Sequence, residues 1–260
     1  MAKIIFFQPH PDDLELNCGH LMHYLAKKSK YKHIIKVVSI TKGEWGLPGA
    51  KYDKFKGDLL AKVRVVELYN AQAIHGISPQ NITFCGYVDG FVEFNWDFIK
   101  KIAEYLKKEK PDIIFAPEPI YCWYYHSDHI NTGKAIFYCI YNKLIGCEPK
   151  LYFYGSLSPN YFFGFKKDDF KLIEQLLSYH KTQFWLINKK KLVYRPSARL
   201  AGRKLNGWKY AEKYRRVYFN KNNYKKNKPS LRVRIFSHFF SSLPWFKAQY
   251  PQKILEILDN

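Results

Sequence analysis

The chain is poor in acidic residues. Its 22 Asp and Glu stand against 43 Lys and Arg, a formal net charge of +21 over 260 residues. It is also poor in cysteine: Cys18, Cys85, Cys122, Cys139 and Cys147 are odd in number and follow no pairing or metal-binding spacing. No disulfide framework is expected, and the five read as free thiols of a reducing compartment. No apolar run approaches the ~20 residues of a membrane span. The first residues lack the basic, apolar and small-residue succession of a secretory signal, so none is expected. Internal repeats and recognised nucleic-acid motifs are absent too, which disfavours nucleic acid as the partner despite the charge. What is present is apolar content, 47% of residues, enough for one full core with a possible appendage. The basic excess either marks an anionic partner or follows from a composition rich in Lys, Asn, Ile, Tyr and Phe.

Strand and helix patterns alternate. Strands are expected at 3–8, 35–41, 81–86, 112–116, 151–154 and 161–165. Helices are expected at 17–28, 58–75, 96–108, 127–144 and 168–180, with Gly76 and Pro111 as stop signals. This alternation predicts an α/β fold, with a mainly parallel sheet covered by helices on both faces. Residues 1–219 form the expected domain. Residues 220–230, rich in Lys and Asn, read as a linker. Beyond it, Arg232, Arg234 and Lys247 are interleaved with Phe236, Phe239, Phe240, Trp245 and Phe246.

The most informative motif is Pro9-His10-Pro11-Asp12-Asp13, placed where the apolar strand Ile4-Ile5-Phe6-Phe7 ends. Buried strands of α/β proteins deliver reactive groups at their carboxyl ends. His10 and Asp13, three residues apart in a tight turn, can meet on one cation. A second cluster, His126-Ser127-Asp128-His129, follows the strand at 112–116. Parallel strands end on one edge of a sheet, so the two clusters can converge there. Two histidines and a carboxylate with open positions suit catalytic zinc. They suit non-haem Fe(II) equally, so ligand type alone leaves the metal open.

With these motifs in order, the chain resembles the PIG-L/LmbE-like metal-dependent N-deacetylases of N-acetylglucosamine conjugates. The resemblance spans roughly residues 3–215. It rests on Pro9 to Glu15, Thr41-Lys42-Gly43-Glu44-Trp45-Gly46, Arg64-Val65-Val66-Glu67-Leu68 and Tyr87-Val88-Asp89-Gly90. It continues through Lys110-Pro111-Asp112, His126 to His129, and His180-Lys181-Thr182-Gln183.

The resemblance implies a Rossmann-like, LmbE-like fold and a set of roles. His10, Asp13 and His129 would bind the metal, Zn2+ or else Fe2+ or another divalent ion. Asp12 would be the general base toward the attacking water. A protonated His126 would stabilise the oxyanion, with Asp128 orienting it. Arg64 and Asp89 would contact sugar hydroxyls. Glu44 and Trp45 would shape the pocket wall, and Lys181 and Gln183 would line the site or end a helix. The implied reaction releases acetate and a free amino sugar in glycoconjugate, polysaccharide or thiol-cofactor biosynthesis. The family commonly has two glycines after the first motif. Here Gly19 is followed by His20, which, with His23, reads as a packing or surface residue.

Competing readings are a non-haem iron enzyme with the same ligands, a basic nucleic-acid- or sugar-binding protein, and an inactive relative. Alternating strands and helices oppose the first. Retention of Asp12, His126 and the three ligands opposes the last. The basic, aromatic extension at 220–260 implies a second partner, an anionic membrane surface, with the protein cytoplasmic and peripheral at the inner face. Its aromatics could instead dock on the domain or a second subunit, and a homo-oligomer stays open.

Overall fold

A computed structural model describes residues 1–47, 49–122, 125–183, 194–220 and 227–241. The strands among them are β1 (Lys3–Gln8), β2 (Ile34–Thr41), β3 (Ile82–Tyr87), β4 (Ile113–Pro117), β5 (Lys150–Tyr154), β6 (Tyr161–Phe165) and β7 (Tyr210–Val217). They form one sheet in the order β3-β2-β1-β4-β5-β7-β6. The first five run parallel, and β7 is antiparallel to both its neighbours. The helices are α1 (Asp13–His23), α2 (Asp58–His75), α3 (Trp96–Glu109), α4 (Ser127–Tyr141), α5 (Phe170–Tyr179), α6 (194–202) and α7 (Leu231–Ser241). The α/β class and mainly parallel sheet follow the sequence expectation.

The period-2 geometry of β1 divides the core into two layers. Ile5 and Phe7 face one side with Val38 and Ile40, and there meet Phe98, Ile102 and Leu106 of α3 and Ile136 and Cys139 of α4. Ile4 and Phe6 face the other side with Val37, against Leu14, Cys18 and Met22 of α1 and Leu68 of α2. Helix ends obey local chemistry. Asn95 accepts the Phe98 N–H to start α3, and Gly76 ends α2 in the left-handed region at φ 75°. Gly19 lets α5 approach α1, because a Cβ there would lie 2.6 Å from Ile173 Cδ1.

Three differences from expectation stand out. First, α1 starts at Asp13 rather than Asn17, so a candidate ligand is the first residue of the helix; residues 24–28 follow as a π-helical turn. Second, β7 and α6 were not expected. The signal of β7 is masked by buried charges: Glu212 and Arg215 both lie inside on it. Third, the extension contains a helix, α7. Of the expected linker, residues 221–226 lie outside the described residues, as do Trp245, Phe246 and Lys247.

Candidate metal centre

β1 ends at Gln8, and Pro9 to Asp12 turns the chain into α1 at the carboxyl edge of the sheet. Asp12 sits at φ 151°, ψ −8°, a sparsely populated conformation for a residue with a Cβ. Such strain persists only where the surroundings over-determine it. Here the turn is tied from two sides. Thr41 donates both its N–H and its hydroxyl to Pro9 O (3.0 and 2.9 Å). Arg64, buried on α2, donates Nη2 to Pro11 O (3.0 Å) and to Asp12 Oδ1 (3.2 Å), and Nη1 to Gly43 O (2.8 Å).

The second cluster arrives from the loop after β4. His126 caps α4, its Nδ1 accepting the Asp128 N–H (3.2 Å). The rings of His10, His126 and His129 gather with centroids 4.8 to 5.7 Å apart. One atom lies at the focus. Asp13 Oδ2 accepts the His10 backbone N–H (2.9 Å), faces His10 Nδ1 at 3.4 Å, and faces His129 Nε2 at 3.3 Å. The donor atoms of His10, Asp13 and His129 all lie within 4.8 Å of one another. Two imidazoles and a carboxylate converging from different elements fit a divalent ion of the zinc or iron type.

His10 also belongs to a second group with Asp89, His126 and Asp128. Its Nε2 turns away from Asp13 and lies 3.1 Å from both Asp89 Oδ1 and Asp128 Oδ2. An imidazole whose far nitrogen is held by carboxylates is fixed in tautomer and orientation for a metal on its near side. Asp128 thus reaches His126 through its backbone N–H, while its carboxylate faces His10 and accepts from Gly90 N (2.6 Å) and Val92 N (3.2 Å). Asp89 clasps two loops, accepting the Trp45 N–H (3.1 Å) while its own N–H goes to Glu44 (3.2 Å).

The electrostatics follow from this packing. Burial would push the His10 pKa down, but the charge of Asp89 and hydrogen bonds to Asp128, Asp13 and Asp89 carry it well above the usual value. Burial would raise Asp13, but His129 and His10 hold it well below the carboxylate range. Asp89 is held at about 2 against its burial, chiefly by His10. His126 moves the other way. Burial, then the charges of His10 and His129, push it down to about 4. Without a metal, the ring is thus favoured in its neutral form, in contrast to the protonated His126 that the resemblance implies. Its Nδ1 is an acceptor, so the neutral ring carries its proton on Nε2.

Other motif residues form the support, among them Gln183, expected to line the site or end a helix. Glu15 Oε1 accepts from Gln72 (3.0 Å) and faces His180 Nε2 (3.2 Å), all three fully buried. Glu67 takes both the N–H and hydroxyl of Thr182 (2.9 and 2.7 Å), and Gln183 donates to Gly46 O (3.2 Å). Glu15, Glu67 and His180 all lay inside quoted motifs, and the signal that could have singled them out was charge within otherwise apolar helices. His20 is a packing residue, stacked on Phe165 with centroids 3.7 Å apart and 3.1 Å from Glu212 Oε1.

A mainly parallel α/β sheet with a His/Asp cluster at its carboxyl edge defines a class of proteins that work at strand ends. Within that class, residues 5–140, more than half the chain, match the PIG-L family, described as GlcNAc-PI de-N-acetylase, and the chain belongs to it. Among curated proteins it is 25% identical over 176 residues to the diacetylchitobiose deacetylase of Thermococcus kodakarensis. That match covers 62% of this chain, which spans 63% of the relative's length. Among solved structures, the N,N'-diacetylchitobiose deacetylase of Pyrococcus horikoshii superposes with a TM-score of 0.71 at 25% identity, covering 83% of this chain and 84% of that one. The 4-carboxy-2-hydroxymuconate hydratase of Pseudomonas putida shares the fold, with a TM-score of 0.65 at 16% identity over 84% of this chain and 97% of its own.

Proposed function

We propose that the chain is a metal-dependent N-deacetylase of an N-acetylglucosamine-type conjugate, releasing acetate and a free amine. Because the same fold also serves a hydratase, the fold does not choose the reaction. The observation that carries the proposal is the meeting of both histidine clusters on Asp13 Oδ2, with Asp12 beside it. Family membership and two similar deacetylases support the same chemistry.

His10, Asp13 and His129 would hold a divalent ion, which when bound polarises a carbonyl and lowers the pKa of water toward ~7. Asp12, its backbone fixed by the Pro9–Pro11 turn and its carboxylate by Arg64, takes the proton from the attacking water. His126 Nε2–H donates to the acetamide oxygen as negative charge develops there, a task that needs a donor but no net charge. Asp12 then returns its proton to the departing nitrogen as the C–N bond breaks. Asp128 and Asp89 keep His10 oriented. Arg64 and Asp89 are already engaged with the protein, so contacts with sugar hydroxyls would add to these bonds, not replace them.

The test is a screen of purified protein, zinc- and iron-loaded in parallel, against N-acetylglucosamine conjugates, with loss of the acetyl group read by mass spectrometry. Asp12→Asn, which keeps a residue tolerant of unusual φ, is expected to retain metal and lose about 10²- to 10⁴-fold in rate. Normal turnover by this variant would remove Asp12 as the base.

A further inference from the structure

α7 stands apart from the rest of the surface. Ser230 opens it, accepting the Val233 N–H, and Ser237 Oγ donates to Ile120 O (2.7 Å). Ile120 lies in the loop that runs from β4 toward His126, so α7 is fastened to the same sheet edge as the candidate metal centre. Apolar side chains on it are exposed along with polar ones. Leu231, Ile235 and Phe236 are 67, 62 and 58% exposed. Ile120 and Tyr125 of the adjoining loop are 52 and 39% exposed, and Val88 and Phe91, on the loop that feeds Gly90 to Asp128, are exposed too. Clustered exposed apolar groups mark an interaction surface.

Charge identifies what covers it. From Lys221 to Leu255 the sequence has eight Lys and Arg and no acidic residue. Lys228, Arg232 and Arg234 are exposed beside the apolar groups. We infer that α7 and the apolar groups Val88, Phe91, Ile120 and Tyr125 form one surface that docks on an anionic lipid bilayer, setting the mouth of the candidate site against the headgroups. Basic residues suit the headgroups, and Leu, Ile and Phe the acyl boundary below them. A nucleic acid would satisfy the cations and leave the aliphatic groups in water. A second copy, meeting α7 to α7, would oppose Arg232 and Arg234 with their own counterparts. The inference goes beyond the deacetylase reading and does not depend on it.

The experiment floats the full-length protein with phosphatidylcholine vesicles, with or without phosphatidylglycerol. The protein is expected to rise with the anionic vesicles only, and less as salt is added. Arg232→Glu with Arg234→Glu, and separately Ile235→Ser with Phe236→Ser, should each weaken partitioning roughly tenfold or more. All four side chains are exposed, so thermal melting should not move. Ile120→Glu at the mouth should also weaken it. Tyr31→Glu, at an equally exposed ring ahead of β2 on the opposite edge of the sheet, should not. Absence of flotation with anionic vesicles would overturn the inference, as would equal loss on Tyr31→Glu. So would no flotation together with RNA binding that the two arginine changes abolish, or with a dimer that Ile235→Ser and Phe236→Ser dissolve.

Discussion

Arg64 and Asp12 are bonded across the floor of the site, Nη2 to Oδ1 at 3.2 Å, and the same nitrogen reaches Pro11 O at 3.0 Å. One guanidinium thus fixes both the side chain and the preceding carbonyl of the residue at φ 151°. Lysine cannot reproduce that fork. Arg64→Lys is expected to keep its metal and lower kcat by about ten- to a hundredfold, each factor of ten being about 1.4 kcal/mol in the barrier. Acetate release alongside metal analysis checks this. A rise in KM with kcat intact would make Arg64 a sugar contact instead.

Metal binding should release a proton. The carboxylates around His10 raise its pKa well above the usual value, so the metal-free protein holds a proton there near neutrality. A ligand imidazole must be neutral, and binding therefore expels that proton. Apparent zinc affinity is expected to climb as pH rises through neutrality, with acid released in a weakly buffered titration. The sign for stability is opposite. A raised His10 pKa stabilises the metal-free fold below the ordinary histidine pKa, and this contribution is lost as pH rises through the raised one. His10→Ala should abolish both the proton release and tight binding.

His75 governs the acid side. It is buried near the end of α2, and neither ring nitrogen has a hydrogen-bond partner among the described residues. Burial, then the neighbouring His23 and His20, lower its pKa to about 3. Its neutral form is favoured in the fold, so its contribution is complete above about pH 6.5 and is lost as pH falls toward the depressed value. His75→Leu is expected to flatten the stability–pH curve over that window by up to about 1.4 kcal/mol per pH unit, measured by urea unfolding.

Glu118 and Arg215 form a buried two-bond pair, 2.6 and 2.7 Å, which fastens β7 to the loop carrying Ile120. Arg215→Met strands a buried carboxylate and is expected to cost about 3–5 kcal/mol. Adding Glu118→Leu should recover only part of that loss. The carboxylate also accepts the N–H groups of Ile120 and Tyr121, which would then go unbonded. Chemical denaturation of the two single variants and the double variant measures this.

The parallel half of the fold was legible because its strands are apolar runs and its helices end on strong local signals such as Gly76 and Pro111. The two histidine clusters were legible for a related reason: a motif that follows a strand has its place in space fixed by the sheet. β7 was not legible. Ala211, Glu212, Tyr214 and Arg215 are all buried, so inward and outward residues do not alternate by polarity. The groups that neutralise Glu212 and Arg215 come from α1 and the loop after β4, which no local window contains. The protonation preference of His126 was not legible for the same reason. Its pKa is lowered by burial and then by His10, more than a hundred residues away in sequence.

The position of β7 also bears on the order in which the protein can be made. Among the described residues, β6 pairs with β7 alone, and β7 is the last strand to leave the ribosome, entering the sheet between two strands synthesised long before it. Until then β6 has no strand to join, and the exposed edge of β5 waits unpaired, a hazard for slow, non-local sheets. The same strand brings Glu212 to the backbone N–H groups of His20 and Leu21 on α1, the helix that opens with Asp13. A nascent chain halted before Tyr210 therefore carries Asp13 on a helix still lacking its brace.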